Sequence, residues 1–500
     1  MSGGRWTRIV VLVLLCRAVA IGSTVAAEIP AAESTTLIST SQGPTIPETG
    51  GSQPIDLDTV LRLAEQMNPT LGAAREAIRE NQALLLLARA TWLPNLAAGG
   101  NYHDHTGPLQ QNAGNITSMM QQSFYFGAGA MAVGSGPAMI PGVQFFNQIG
   151  DALFNPLAAR QQLANVRYST QATNNNVLLQ VCDGYWNLVA AEMQHAAWRQ
   201  SEVDLQEVVR LTRNYANAGQ GREADAERAA TALLLLRNEI VRAEERVVIA
   251  GARLAALLQL DPSVRLRAAA IPLGTLQLVD PQFRLPELLG IAEVQRPELA
   301  ARSAMVAVTR TRYRQELARP VLPTVMVGYS GGTFGGGSSA TNPALGSYYG
   351  RQDFDAWAMW TLQNFGVGNV ALQQRRRAEI RQADAERTRM FRQVEQEVTE
   401  AYAQSNAALE QVPVFQRQLR IAEDGLERDL NRIRGLEGLP IEVLNSQSLL
   451  AQARQDLITA TIAADRAQFR LFTVLGQPAT AAVRLPIAAA GAPQQPLPPP

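Results

Sequence analysis

The apolar positions of this chain fall into two patterns, and both occur twice in the same order. Along residues 222–260, Leu233, Ile240, Val247 and Leu254 recur every seven positions, and Leu236, Ala243, Ala250 and Leu257 follow three positions later. That is the a/d seam of long packed helices. About 217 residues further on the seam returns as Leu450, Leu457, Ala464 and Leu471, with Ala453, Ala460, Ala467 and Val474 beside it. Residues 157–218 lack proline and hold only Gly184 as glycine, which predicts a helix of roughly 90 Å. The second pattern has period two. Val325, Val327 and Tyr329 alternate with Thr324, Met326 and Gly328, and Phe354, Ala356, Ala358, Trp360 and Leu362 with Asp355, Trp357, Met359 and Thr361. Strands are therefore expected near 324–334 and 354–364, and, with weaker alternation, near 95–105 and 142–154.

The recurrence is a duplication. Leu57, Val60, Leu61, Ala64, Pro69, Leu71 and Ala73 reappear about 228 residues later as Leu285, Leu288, Leu289, Ala292, Pro297, Leu299 and Ala301. Val181, Tyr185, Gly221, Asp225 and Leu258 reappear about 217 residues later as Val398, Tyr402, Gly438, Glu442 and Leu475. The drop between the two shifts places extra length in copy one, between Pro94 and Val181. A repeat this long exceeds solenoid periods of ~20–50 residues and implies two copies of one large unit. The expected plan is a first repeat at 55–265, with long helices 157–218 and 222–260, a connector at 266–284, and a second repeat at 285–486. Each copy would run short helix, strand, loop, strand, very long helix, glycine turn, long return helix.

The ends read differently. Arg5 and Arg8 before an apolar run, then Val25-Ala26-Ala27, mark 1–27 as a secretory signal peptide. Cys16 raises a lipid-anchor reading, against which Leu15 and Arg17 flank it badly. Residues 28–54 read as a flexible linker and 487–500 as a Pro-rich tail. Cys182 is left alone among apolar neighbours, which suits a buried helix residue. Net charge is zero, with 44 basic and 44 acidic residues, so nothing in the charge points to nucleic acid. Every fixed positive charge is an arginine; the sequence has no lysine. No apolar run reaches the ~18 residues of a spanning helix.

Strands of about 10 residues suit tilted membrane strands, and Trp92, Tyr102, Phe145, Phe146, Trp357 and Trp360 suit a membrane interface. Two hairpins packed on helices in a soluble protein would give the same alternation. If the strands do cross a membrane, four cannot close a barrel, since single-chain barrels start at about eight. Several chains would then share one. The long stretch 106–141 and the shorter 335–352, both rich in Gly, Ser, Asn and Gln, are expected as loops.

These residues resemble the outer membrane efflux protein family, the TolC-type trimeric tunnels. The resemblance covers roughly 55–486 and rests on paired openings, Leu57-Asp58-Thr59-Val60-Leu61 with Asn68-Pro69 and Leu285-Pro286-Glu287-Leu288-Leu289 with Arg296-Pro297. Leu93-Pro94 and Leu322-Pro323 before the strands, and Ile441-Glu442-Val443-Leu444-Asn445-Ser446-Gln447 at the second return helix, complete it. It implies a mainly α fold with β. Long antiparallel helical hairpins would form an α-barrel, and four strands per chain a shared twelve-stranded β-barrel in a homotrimer. It also implies outer membrane lipid around the strands, a periplasmic adaptor, and an inner membrane pump of RND or ABC type. A periplasmic coiled-coil scaffold without channel activity is the competing reading.

Candidate site residues follow the helix turns. Asp225 and Glu442 occupy matching positions and, by the resemblance, line the periplasmic mouth, where carboxylate rings would attract cations. Acidic residues at a helix N-terminus are equally expected from the helix dipole alone. Gly219, Gly221, Gly435, Gly438 and Pro440 shape the turns and, by the resemblance, meet the adaptor. Pro413 interrupts the second long helix, with Ala196 at its counterpart, and is expected to kink it. His103 with His105, and the loop methionines Met119, Met120, Met131 and Met139, form no complete metal site. No cofactor motif or catalytic constellation stands out.

Overall fold

The computed structural model describes residues 53–128, 142–219, 221–261, 263–269, 276–340, 346, 348–435 and 438–483. The signal peptide, nearly all of the linker, Met131, Met139 and the tail lie outside them. The described elements are β1 (Gln53–Ile55), α1 (Leu57–Met67), α2 (Pro69–Ala90), β2 (Asn95–Leu96), β3 (Gly99–Gln110), β4 (Ile116–Ala128), β5 (Val143–Gln148), α3 (Ile149–Asn217), α4 (Glu223–Leu257), β6 (Leu266–Ala268), α5 (Leu285–Gln295), α6 (Pro297–Ala318), β7 (Thr324–Ser338), β8 (Tyr349–Met359), α7 (Val367–Arg434), α8 (Pro440–Val474) and α9 (Ala479–Val483). They divide into a strand-bearing unit, Leu86–Pro156 and Tyr313–Gln373, and a helical unit holding the remainder from Gly50 onward.

In the strand-bearing unit all pairs are antiparallel. β7 pairs along one edge with β8. Its other edge takes β5 against Thr324–Tyr329 and β4 against Gly331–Ser338. β4 and β5 therefore form one lane, which the chain leaves at Ala128 and re-enters at Gly142. β3 pairs with β4, and β2 with β5, as a further lane. The sheet has four lanes, two from each copy, with β3 and β8 at its edges.

This corrects the expected layout of copy one. Much of 106–141, expected as loop, is strand, because β3 and β4 pair over twelve residues from Gly99↔Gly127 to Gln110↔Ile116. Its Gly, Asn and Gln content hid the pairing. The strand expected at 142–154 ends at Gln148, whose Oε1 accepts the Asp151 N–H at 3.0 Å and opens α3. α3 thus starts before 157 and includes Pro156 in its early turns. The length excess of copy one lies between Ala128 and Gly142. A Cβ at Gly142 would strike the carbonyl oxygens of Ala128 and Tyr329, so the re-entry point has room only for glycine. In copy two, β7 runs on to Ser338 and β8 stops at Met359; Asn364 and Phe365 then take left-handed conformations.

The helical unit packs α3 and α4 of copy one with α7 and α8 of copy two. Near the helix turns, Leu205 and Val208 of α3, Leu236 and Ile240 of α4, Leu426 and Ile433 of α7, and Val443 and Leu450 of α8 share one core cluster. At the other end α1, α3, α8 and α9 bury Val60, Leu61, Leu178, Tyr185, Trp186 and Phe469 together. Cys182 lies in this cluster, fully buried, and burial pushes its thiol up to about 12, far from a reactive thiolate. Between them, Ala408 and Val412 of α7 pack on Ala460, Ala464 and Ala467 of α8.

The duplication is visible bond by bond. Asn68 Nδ2 donates to Leu257 O at 3.4 Å, and its counterpart Arg296 donates from Nη1 to Val474 O at 3.3 Å. Each opening motif therefore ties the end of the short helix to the last carbonyls of the return helix.

Candidate functional site: the helix turns and the two-faced sheet

Both turns use the same backbone bonds. Ala218 N–H donates to Asn214 O at 3.0 Å and Gly221 N–H to Tyr215 O at 3.1 Å. In copy two, Gly435 N–H donates to Asn431 O at 2.9 Å and Gly438 N–H to Arg432 O at 3.1 Å. These i+4 and i+6 bonds close the helix ends. Gly219 has φ +73°, which favours glycine. Gly221 allows close approach, since a Cβ there would lie 2.9 Å from the Tyr215 ring. Gly219 and Gly435 are exposed, whereas Gly438 and Pro440 are buried inside their turn.

Asp225 and Glu442 both sit three residues after the helix-capping position, but in different surroundings. Glu442 Oε2 accepts the Leu439 N–H at 3.3 Å and pairs with Arg432 of α7 at 3.2 Å. Among the described residues Asp225 pairs only with Arg228 on its own helix, at 3.0 Å, and its side chain is 15% exposed against 37% for Glu442. Glu442 therefore ties the two helices of its hairpin together across the turn, and Asp225 does not. Ser446 Oγ adds a bond to Asp429 of α7. α7 is helical on both sides of Pro413, which is exposed.

The copies are also stitched to each other by groups that sequence reading missed. Arg454 of α8 pairs with Asp204 of α3 at 2.6 Å, and Gln447 donates to Ser201 O at 3.2 Å in a buried contact. Asp465 Oδ1 accepts the Leu276 N–H at 2.8 Å, and Gln468 Oε1 accepts those of Leu278 and Val279 at 3.1 and 3.2 Å. These two α8 side chains hold the connector, and burial pushes the Asp465 carboxyl up to about 7. The available signal was polar residues at buried positions of an apolar helix.

Register sorts the sheet into two unlike faces, because cross-strand partners point the same way. On one face lie Asn101, His103, His105, Gln121, Ser123, Ser330, Arg351, Asp353 and Asp355, together with Tyr125, Met326, Phe334 and Trp357. Arg351 pairs there with Asp353 at 2.8 Å. On the other lie Val325, Val327, Tyr329, Phe354, Ala356 and Ala358, with Tyr102, Phe124 and Phe126 beside them. Phe126 and Phe354 on this apolar face are 64% and 65% exposed. A mainly polar face backed by a mainly apolar, exposed one is the alternation expected of a membrane barrel wall. The indole N–H groups of Trp92 and Trp360 donate to Ala152 O and Val321 O, both at 3.0 Å. No helix among the described residues is long and apolar enough to cross a membrane. His103 and His105 stand opposite Ser123 and Gln121, and the described residues hold no cluster of three or more metal-ligating His, Cys, Asp or Glu.

The sequence pattern of the outer membrane efflux protein family matches residues 60–259 and again 288–477, one match for each copy. The chain is a member of the outer membrane efflux protein family. It is an efflux protein of the outer membrane. Solved structures share the fold. CusC is 18% identical with TM-score 0.66, the match covering 86% of this chain and 95% of CusC. VceC from Vibrio cholerae is 16% identical with TM-score 0.63, over 84% and 96% of the two chains. The open state of the MtrE channel from Neisseria gonorrhoeae is 17% identical with TM-score 0.63, over 85% and 89%. A direct sequence comparison with curated proteins finds no match.

Proposed function

We propose that this efflux protein works as a homotrimer, a passive exit duct whose solute is delivered by an inner membrane transporter of RND or ABC type through a periplasmic adaptor. The observation that carries the trimer is the sheet: four lanes, an apolar face, and edges at β3 and β8 that pair on one side only. In lipid each unpaired N–H or C=O costs several kcal/mol, so β8 of one copy needs β3 of the next. Three copies make a closed barrel of twelve lanes. The outward apolar positions of α4, Leu234, Val241 and Val248, support the same reading, being 64%, 64% and 55% exposed at seven-residue spacing. Such a seam suits a neighbouring helix.

At the turns, Asp225 and Glu442 of three copies ring the periplasmic mouth, and the exposed apices at Gly219 and Gly435 meet the adaptor. The test is native mass determination of detergent-extracted outer membranes, followed by planar-bilayer recording. A heat-labile trimer with ion conductance is expected, and a monomer without conductance would overturn the proposal. Neutralising Asp225→Asn with Glu442→Gln should raise conductance or lower cation preference. Unchanged values for both would remove the two carboxylates from the mouth.

A further inference from the structure

An open groove of about 540 Å³ lies in the helical unit between α3, α4 and α8. Small residues of α3, Gly184, Ala190 and Ala191, line one side of it. The walls carry three arginines, Arg246 and Arg253 from α4 and Arg466 from α8, and no carboxylate lines the groove. In a chain whose acidic and basic residues balance at 44 each, that local excess is unusual.

The partners of these arginines make the excess sharper. Arg466 donates from Nη2 to Asn187 Oδ1 at 2.6 Å, but its Nε is buried without a partner. A buried donor left unsatisfied costs ~1–3 kcal/mol, which an acceptor bound in the groove would recover. Arg253 makes no ion pair with any described residue; Arg246 donates from Nε to Arg242 O at 3.3 Å, and its nearest carboxylate among the described ion pairs is Glu239 at 3.9 Å, already held by Arg242 at 2.7 Å. Asp183 is close enough to feel the charges of Arg466 and Arg470, yet forms an ion pair with neither among the described residues. Guanidinium forks match the oxygen geometry of phosphate, and their charge-assisted bonds are about twice as strong as neutral ones.

We propose that this groove binds a phosphate-class polyanion, anchored by Arg466 and closed from the other wall by Arg246 and Arg253. The phosphate can come from a soluble ion or from the headgroup of an anionic lipid. The test uses the full chain in detergent and reads thermal unfolding during titration with inorganic phosphate, against chloride at matched ionic strength. Phosphate stabilises most proteins by exclusion from their surface, so the variants decide. A saturable rise in Tm is expected for the native chain. The half-effect concentration should rise at least about tenfold in Arg466→Gln and in Arg253→Gln, and stay unchanged in Arg242→Gln, which removes an arginine outside the groove. Arg253 is exposed, so its loss tests the site even where Arg466→Gln disturbs folding. A parallel arm adds phosphatidylglycerol or phosphatidylcholine micelles. A variant-sensitive shift with phosphatidylglycerol alone assigns the site to lipid-borne phosphate, and one with inorganic phosphate assigns it to the soluble ion. No saturable shift in either arm, or equal shifts in native chain and both groove variants, would overturn the proposal.

Discussion

The two return helices, α4 and α8, have 35 residues each and begin from turns with the same hydrogen bonds, yet they live in different surroundings. α8 buries nineteen of its residues and α4 only eight, so one is a central strut and the other a flank. Substitutions at matching positions follow that difference. Asp465 and Gln468 of α8, which grip the connector, stand where α4 has the exposed Val248 and the small buried Gly251. Leu450 is 2% exposed in a core cluster, and its counterpart Leu233 lies at that cluster's margin. Duplication has kept the backbone hardware of turns and ties and released the side faces. What a helix touches, rather than its seam, decides which residues it keeps.

The largest expected effect tests the strut. The folded chain keeps the Asp465 carboxyl protonated up to about pH 7, while an unfolded chain releases that proton near 3.8. The stabilisation from this group is therefore complete below about pH 4 and is lost as pH rises to 7. At about 1.4 kcal/mol per unit, the loss is about 4 kcal/mol at most. Asp465→Asn keeps the acceptor for Leu276 N–H, so denaturation of the variant should show greater stability than the native chain at pH 8. The two should converge at pH 4. A difference independent of pH would contradict the burial account.

Next comes the paired truncation. Leu450→Ala should cost about 3 kcal/mol, as a buried leucine does, and Leu233→Ala about 1 kcal/mol. Equal losses, measured by thermal unfolding in detergent, would mean that α4 is covered in the native assembly by a neighbouring copy. The helix ends offer a smaller contrast. Gln259 and Gly476 match, and both have positive φ, 56° and 97°. Gln259→Gly should stabilise by about 1 kcal/mol by relieving a left-handed non-glycine residue. Gly476→Ala should destabilise by about 2 kcal/mol, because a Cβ there would lie 2.6 Å from Gln295 O. The smallest difference is at the turns. Glu442→Gln should cost about 0.5–1 kcal/mol, and Asp225→Asn less, since only Glu442 bonds across its hairpin.

The helical half of this architecture was written plainly in the chain. Heptads such as Leu233, Ile240, Val247 and Leu254 leave no other period, and two sets in register named the duplication. The strand half was harder. Alternation exposed β7 and β8, because Val325, Val327 and Tyr329 share a face with Phe354, Ala356 and Ala358. β4 stayed hidden, since Gln121, Gln122 and Ser123 carry no apolar period and gain their place from pairing with β3 and β7. At the β5–α3 junction, Ala152, Leu153 and Phe154 extend an apolar run that a strand and a helix share equally. The turn residues were legible as turns. The cross-hairpin bond of Glu442 was not, because Arg432 is ten positions away and reaches it only after the helices reverse.

The lane that the chain leaves at Ala128 and resumes at Gly142 separates two things that proteins normally couple. The register of β4 and β5 is fixed by their pairing with β7, so it is indifferent to how many residues come between. A wall built this way takes its alignment from its neighbour and not from an unbroken chain.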